Sequence, residues 1–479
     1  RANYVYKEKY LLTATFRADG SSKFSAANRW GFFPSVSGAW RISGEEFLED
    51  AAWLSDLKIR ASYGAAGNNR IPSGLLVQTF NNSTTTWVNG YNNFWAASKT
   101  MANPDLKWET TTTRNVGLDF SLFKSRLSGT IDAYLNKTDD LLIAYQVAGT
   151  GYDIQYRNIG NTQNKGLEFS LNWSAVRKQN FDLTVNANIA FNRNEVLSLG
   201  AVENIFGASR WASTAISTDY LVEVGAPVGQ MYGYQSDGRY EVSDFEGYIS
   251  NQWKLKEGVA TAAEVVGTMR PGAMKLKDIN GDGMISVADR GIIGNANPSH
   301  TGGFSLASRI YNFDLAAYFN WSYGNDVYNA NKIEYTSTSQ YFSRNMISEM
   351  ATGKRWTNLR SDGTISNDPA ELEQMNANTT MWSPYMRSFV FSDWAVEDGS
   401  FLRMSTLTLG YTLPKHISAR LRMQTLRIYA SGYNLWLLTN YSGFDPEVST
   451  RRQTPLTPGV DYSAYPKSKS FLVGLNVNF

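Results

Sequence analysis

The chain alternates apolar and polar residues over many short segments. At its C-terminal end Phe471, Val473, Leu475, Val477 and Phe479 interleave with mostly polar or small residues. A period of two is typical of β-strands whose two faces meet different surroundings. The pattern predicts about twelve strands, near residues 4–18, 31–42, 57–65, 111–123, 127–136, 164–174, 181–192, 303–310, 313–324, 401–413, 425–438 and 469–479.

The connections between these predicted strands alternate between short and long. Short connections are expected at 123–126, 175–180, 308–312 and 414–424, and long ones at 137–163, 193–302, 325–400 and 439–468. Outer-membrane barrels have short periplasmic turns and long extracellular loops, and their tilted strands cross the bilayer with about ten residues. We therefore predict an all-β fold, an antiparallel up-and-down transmembrane β-barrel, with a β-sandwich as the alternative.

The amino-acid composition mainly excludes several classes of partner and of chemistry. The 479 residues carry a net charge of +2, no cysteine and two histidines, which argues against a nucleic-acid partner, thiol chemistry and an imidazole-based active site. We find no set of nucleophile, base and oxyanion donors and expect no enzymatic activity. Aromatic residues make up 14% of the chain and charged residues 18%, against roughly 25% charged in typical globular proteins. Tyrosine and tryptophan are favoured at membrane interfaces.

One motif in the long segment 193–302 has the spacing of a calcium site. Residues 278–289 place oxygen donors at positions 1, 3, 5, 9 and 12 and a glycine at position 6, as EF-hand loops do. The predicted ligands are Asp278, Asn280, Asp282, Met284 through its carbonyl, Ser286 and Asp289. Aspartate at position 12, where EF-hands have glutamate, predicts a weak structural Ca²⁺ site. A metal-free turn held by side-chain to backbone bonds is the alternative.

A second candidate surface is a group of aromatic residues in the predicted loop 66–110. Trp87, Tyr91, Phe94 and Trp95 stand among asparagines and threonines. Flat apolar rings with polar neighbours can stack on sugar rings, and they also suit contact with a partner protein. We expect packing inside the loop or contact with a partner protein, with stacking on a sugar ligand as the alternative, and we keep the four residues as candidates for contact with a ligand or a partner.

Four separated stretches carry a resemblance to a known family. They are YLLTATFRADGSSKFSAANRWGFFPSVSGAWRIS, NIGNTQNKGLEFSLNW, KLKDINGDGMISVADRGIIGNANP and FDPEVSTRRQTPLTPGVDYSAYPKSKSFLVGLNVNF. In this order they resemble the C-terminal portion of SusC/RagA-type TonB-dependent outer-membrane transporters. The resemblance implies about twelve C-terminal strands of a 22-stranded barrel, with the N-terminal plug and about ten strands absent from this chain. The first residue is Arg rather than Met, and we expect the natural N-terminal part to lie elsewhere.

The same resemblance implies a function and a location. It predicts a transporter in the outer membrane of a Gram-negative bacterium that imports a large nutrient, such as an oligosaccharide or peptide, together with a SusD-like surface lipoprotein. Energy would come from TonB, ExbB and ExbD through the missing N-terminal part. The competing interpretation is a secreted all-β protein that binds calcium and carbohydrate, and a passive porin is a third.

The C-terminal strand resembles the signal by which the outer-membrane assembly machinery recognises barrel proteins. Gly474, Val477 and Phe479 fit that pattern, whereas Leu472 stands where a polar residue is expected. A partial barrel would also expose unpaired strand edges, which lipid does not tolerate. We therefore expect an open sheet that needs neighbouring strands at both edges.

Overall fold

The computed structural model describes residues 1–88, 91–147, 149–212, 216–338, 344–450 and 455–479, without the side chains of 82–94. Its largest element is a fourteen-stranded sheet in which thirteen strands follow one another side by side. These are Ala2–Tyr6, Tyr10–Gly20, Trp30–Arg41, Leu54–Asn68, Glu109–Leu122, Leu127–Gln146, Ile154–Lys178, Phe181–Leu199, His300–Ile310, Phe313–Tyr323, Phe401–Thr412, Thr425–Thr439 and Ser470–Asn478. The fourteenth, Thr100–Met101, pairs with the start of Ile154–Lys178.

All twelve neighbouring pairs in this series are antiparallel, and the order in the sheet follows the order in the chain. The predicted up-and-down arrangement is therefore confirmed. Within the described residues the two edges, Ala2–Tyr6 and Ser470–Asn478, do not pair with each other. The sheet is open, as expected for part of a barrel.

The first predicted strand, 4–18, is wrong because it is two strands. The chain reverses at Lys7 and Glu8, which adopt φ values of 51° and 54°, and the Lys9 N–H donates to the Tyr6 carbonyl oxygen at 3.0 Å. Neither turn residue is a glycine or asparagine, so turn chemistry did not mark the reversal. The side-by-side series thus has thirteen strands rather than twelve.

Several strands continue well beyond the predicted bounds. Strand Leu127–Gln146 pairs with Ile154–Lys178, so the long connection expected at 137–163 shrinks to 147–153. The prediction failed there because polar pairs such as Lys137 with Gln163 and Thr138 with Thr162 extend the ladder on the outer side, where no apolar alternation is needed. The short connections are 7–9, 42–53, 123–126, 179–180, 311–312 and 413–424, and the long ones include 69–108, 200–299, 324–400 and 440–469.

The two faces of the sheet differ as the alternation predicts. On strand Ile154–Lys178 the apolar side chains Leu167, Phe169, Leu171 and Trp173 are 36–45% exposed, which suits contact with lipid. Residues of the opposite face form polar rows across strands; one row joins Ser128, Asn172, Asn186 and Ser305. The Asn186 amide donates to the Ser305 hydroxyl at 3.2 Å.

The buried core lies in the long outer segments rather than in the barrel wall. One cluster includes Tyr240, Met274, Ile285 and Trp382, and a second is formed around Tyr220, Tyr328 and Phe391. Both sets come from 200–299 and 324–400, so these loops form a folded layer over the outer rim. A barrel wall between lipid and water has no dry interior of its own, which explains this distribution.

This outer layer contains short strands and helices. The strands are Phe80–Val88, Tyr91–Ala97, Asn204–Gly207, Tyr220–Glu223, Gln230–Gly233, Ser236–Arg239, Phe245–Ile249, Gln252–Leu255, Met274–Leu276, Gly291–Asn295, Asp326–Asn329, Val396–Asp398 and Val460–Asp461, and the α-helices are Ala263–Val266, Ala330–Glu334 and Pro369–Asn376. A further helix, Lys415–Arg420, lies in the connection 413–424 on the opposite rim. None of the helices in the described residues is long and apolar enough to span a membrane.

Candidate functional sites

The loop 278–289 is attached to the outer layer by its apolar position 8. Ile285 at that position is 1% exposed and belongs to the cluster around Tyr240 and Met274. Its N–H donates to the Thr261 carbonyl oxygen at 2.8 Å, and the Thr261 N–H donates to the Gly283 carbonyl oxygen at 3.0 Å. The loop therefore projects outward from a buried anchor, the side chain of Ile285.

Side-chain oxygens organise the turn itself. The Asp278 carboxylate accepts hydrogen bonds from the N–H groups of Gly281 at 2.7 Å and Gly283 at 2.8 Å. Both glycines have positive φ values, 76° and 82°, a conformation that other residues rarely adopt. Asn280 and Asp282 each accept from the backbone N–H two residues later, at 3.0 and 2.8 Å.

Asp289 closes the loop from its last position. The side chain is fully buried, and its oxygens accept from the N–H groups of Ile279 at 2.8 Å, Asn280 at 3.3 Å and Ser286 at 2.8 Å. Burial acts to raise the pKa of Asp289, but these backbone donors together hold the pKa below its usual value. The carboxylate is therefore ionised at neutral pH.

The donor set is compatible with a hard cation but is not arranged as a closed cage. Five of the predicted ligands, Asp278, Asn280, Asp282, Ser286 and Asp289, accept backbone hydrogen bonds within the loop. The carboxylate oxygens of Asp278 and Asp282 each keep a further lone pair, whereas Asp289 Oδ1 already accepts two hydrogen bonds. In the described part of the chain, no three acidic or histidine side chains converge on a common point. The carbonyl of Met284 and the side chains thus form an open, oxygen-rich turn.

The aromatic candidates lie on a hairpin of the outer side. Strand Phe80–Val88 pairs with Tyr91–Ala97, with Asn82 opposite Trp95. The side chains of Trp87, Tyr91 and Phe94 lie outside the described residues. Trp95 is described and is 73% exposed, so its ring is available to a ligand or a partner.

The C-terminal strand forms one edge of the sheet. Gly474 lies opposite Tyr429, and a Cβ atom at position 474 would be 2.4 Å from Cζ of that tyrosine, so the ring occupies the space that glycine leaves. Val477 lies opposite Leu426, and Phe479 is 81% exposed. The structure places the three residues of the proposed assembly signal on an accessible edge strand and its end.

Charged networks on the polar face were not identified from the sequence. Arg60 donates to Asp119 at 2.9 Å and to Asp132 at 2.8 Å, and Lys58 lies 2.8 Å from Asp119. These residues come from three adjacent strands, and the bonded partners Arg60 and Asp132 are 72 residues apart in sequence. Alternation indicates which residues share a face, but only strand register determines which of them become partners.

A buried ion network ties an outer loop to the barrel wall. Arg403, near the start of strand Phe401–Thr412, is 4% exposed and donates to Asp445 at 2.7 Å, while its Nε lies 2.9 Å from Glu447. Lys467 approaches Glu447 at 2.7 Å. The network therefore joins both ends of the segment 440–469 to one arginine of the wall.

Comparison with known proteins gives matches over the whole chain. The family described as TonB dependent receptor-like, beta-barrel matches residues 1–263. TonB-dependent receptor P3 of Formosa agariphila is 34% identical over 488 residues, which is 100% of this chain and 45% of that protein. TonB-dependent receptor SusC of Bacteroides thetaiotaomicron is 31% identical over 100% of this chain and 43% of its own length.

Solved structures agree with the sequence relatives. A chain of the RagAB peptide transporter superposes with a TM-score of 0.76 and 25% identity, over 100% of this chain and 47% of that one. The RagAB peptide importer in its 'open-open' state gives a TM-score of 0.73. The chain spans a little under half the length of the curated relatives that it matches.

Proposed function

Since the chain belongs to the TonB-dependent receptor-like β-barrel family, we propose that the protein carrying it is an active transporter of the SusC/RagA type. Family membership places the chain in the outer membrane of a Gram-negative bacterium. The observation that carries the transport proposal is the match of the entire chain, outer layer included, to the RagAB peptide transporter. A passive channel would have no need of so large a folded outer layer.

The proposed cargo is a large nutrient, either an oligosaccharide or a peptide. The similarity to RagAB, a peptide transporter, supports the peptide class for a protein of this type. The outer layer formed by 200–299 and 324–400 supports a second part of the proposal, docking of a SusD-like surface lipoprotein. Energy would come from TonB, ExbB and ExbD through a part of the protein outside this chain.

The unpaired edges support the idea that the functional unit is larger than this chain. The backbone of Ala2–Tyr6 and Ser470–Asn478 presents one open side each, and exposed backbone groups cost several kcal/mol apiece in lipid. We propose that strands outside the chain pair with both edges and close the barrel.

Uptake by the source bacterium tests the transport proposal. Deleting the gene should abolish growth on one class of oligosaccharide or peptide, and deleting TonB should have the same effect, because the proposed step consumes energy. Growth on the corresponding monomers should be unchanged. Recovery of the protein from culture medium without detergent, with no growth defect, would instead support the secreted carbohydrate-binding alternative.

The exposed side chain of Trp95 offers a matched test of the docking surface. Trp95→Ala should weaken co-purification of the surface lipoprotein or lower uptake, because its ring is 73% exposed on the outer side. Trp53→Ala is the control, since Trp53 is 55% exposed next to the short-turn rim. Equal behaviour of the two variants would contradict a role for the hairpin.

We also propose that the loop 278–289 binds Ca²⁺ in a structural role. Three carboxylates, those of Asp278, Asp282 and Asp289, occur in twelve residues, and the position-8 side chain is buried as such loops require. A bound Ca²⁺ would supply positive charge that draws these acids together. It would stiffen the outer layer and take no part in catalysis.

Calcium-dependent protection of the loop tests this second proposal. Protease cleavage within 278–289 should be slowed by Ca²⁺ and restored by chelator in the natural protein, and this response should vanish in Asp278→Asn/Asp282→Asn. Asp362→Asn is the control, because Asp362 holds a similar turn by accepting from the Thr364 N–H at 2.9 Å. An unchanged cleavage rate with and without Ca²⁺ would favour the metal-free turn.

A further inference from the structure

The rim that carries the short connections forms a continuous band. The Arg126 carbonyl oxygen accepts from the Ser174 N–H at 2.7 Å, and the Asn180 carbonyl oxygen accepts from the Tyr311 N–H at 2.7 Å. Further along, Asn312 accepts from the Thr412 N–H at 2.8 Å, and the Gln424 N–H donates to Asn478 at 2.7 Å. These bonds hold the turns 123–126, 179–180, 311–312 and 413–424 side by side along the periplasmic edge.

This band carries unneutralised positive charge. Lys124, Lys178, Lys415, Arg420 and Arg422 are all exposed, and we call them the basic rim. In the part of the chain that the structure describes, none of the five lies within 4.0 Å of a carboxylate oxygen. Five cations along one edge without acidic partners form a surface that suits an anionic ligand.

Three other cations near the same rim, Lys9, Arg309 and Arg427, are paired with carboxylates. Arg309 forms an ion pair with Asp182, and Arg427 contacts Asp314 at 2.5 Å. In the connection 42–53, Glu45 accepts from Lys9 at 3.0 Å and from Tyr10 and Trp40. The hydrogen bonds from Trp40, Tyr10 and Lys9 lower the pKa of Glu45 to about 2.

Exposed apolar side chains lie along the same rim as the unpaired cations. Phe123 is 54% exposed beside Lys124, and Tyr311 and Phe313, in and just after the turn 311–312, are 69% and 61% exposed. In the connection 413–424, Ile417 in the helix Lys415–Arg420 and Leu421 directly after it are 38% and 51% exposed. Apolar and aromatic groups at this level suit the boundary between acyl chains and headgroups.

We propose that the basic rim binds the headgroups of anionic phospholipids in the inner leaflet of the outer membrane. The apolar side chains enter the acyl boundary, and the lysine and arginine heads reach the phosphate level just below it. Charge complementarity and the adjoining apolar band favour a lipid over an acidic periplasmic protein, which would not need the apolar band. The inference depends on the membrane location and the orientation of the turns, and it is independent of the transported cargo.

Lipid selectivity of the natural protein in phosphatidylcholine bilayers tests the proposal. Spin-labelled phosphatidylglycerol and spin-labelled phosphatidylcholine compete for the protein surface, and electron paramagnetic resonance measures the fraction of each that is immobilised. A single cation near an anionic surface is worth a preference of about fivefold. The measured preference is an average over all lipids that contact the protein, most of which lie away from the basic rim. We therefore expect a preference for phosphatidylglycerol of about twofold.

Two matched triple variants separate the basic rim from general charge. Lys178→Gln/Lys415→Gln/Arg422→Gln removes three rim charges and should bring the preference close to one. Lys256→Gln/Lys354→Gln/Arg210→Gln removes three exposed charges from the outer layer and should leave the preference unchanged. Arg210 and Arg422 both have positive φ, 59° and 57°, so the backbone effects of the two sets match.

Three outcomes would overturn the proposal. They are the absence of any preference in the unmodified protein, equal loss in both triple variants, and full preference in the rim variant. Lys178→Arg/Lys415→Arg/Arg422→Lys substitutes the same positions but keeps the charges, so it should keep the preference. A loss in the glutamine variant alone would then be due to the missing charges. Retained heat-dependent migration on gels confirms that each variant is folded.

Discussion

Gly474 and Tyr429 offer a direct test of the geometry at the C-terminal edge. In Gly474→Ala the new Cβ would lie 2.4 Å from Tyr429 Cζ and 2.5 Å from its hydroxyl oxygen. The ring must therefore move away until both atoms are at ordinary van der Waals distance. Overpacking of this kind costs about 1–3 kcal/mol. Because the ring ends a flexible side chain, we expect the low end of that range, about 1–1.5 kcal/mol in the free energy of unfolding.

A double-mutant cycle measures this contact in the natural protein by denaturant unfolding in lipid or detergent. Tyr429→Ala removes the ring, so Gly474→Ala should cost almost nothing in that background, and the coupling should be about 1 kcal/mol. Gly38→Ala is the control, because the nearest atom to its added Cβ is 4.0 Å away. Additive effects of the two substitutions would refute the steric reasoning.

The same variants examine the assembly signal by a different readout. If the assembly machinery reads residue 474 itself, the amount of folded protein in the outer membrane should fall in Gly474→Ala and should not recover in the Tyr429→Ala background. Recovery in that background would mean that the defect is packing alone. The assembly role of Gly474, Val477 and Phe479 would then lose its support.

Two further predictions concern the outer layer. Asp445→Asn removes one charged partner of the buried Arg403 and should destabilise the segment 440–469 by about 2–4 kcal/mol. Protease cleavage of the segment should become faster. Asp182→Asn, which breaks an exposed ion pair, is the control and should cost less than about 1 kcal/mol. Burial raises the pKa of Asp219 to about 6 against hydrogen bonds from Ser209. Its protonated form is favoured on folding, so the contribution of Asp219 to stability should be greatest below pH 4 and should fall, by up to about 3 kcal/mol, as the pH rises through 6. Hydrogen exchange of residues 204–223 should show this trend, and Asp219→Asn should remove it; a trend unchanged in that variant would contradict the assignment.

The barrel wall was the most predictable part of the protein. Alternation on strands such as Phe313–Tyr323 identifies the lipid face because the bilayer acts on every second residue regardless of the partners. The hairpin at Lys7 and Glu8 escaped prediction, since its turn residues have none of the usual turn chemistry. The outer ends of the long strands escaped as well, because stretches such as 137–140 and 161–164 are polar on both faces and interrupt the alternation.

The sequence by itself determined the fold class, the face of the sheet that contacts lipid, and the acidic loop at 278–289. It also determined that short and long connections lie on opposite rims. Each of these follows from local spacing. Only the tertiary structure decided which charges are paired and which are not: Arg60 with Asp119 and Asp132, Arg403 with Asp445, and Lys178 without an acidic partner in the described residues. Pairing depends on strand register and loop folding, which bring together residues tens of positions apart. Local spacing in the sequence therefore does not predict which charged residues become partners.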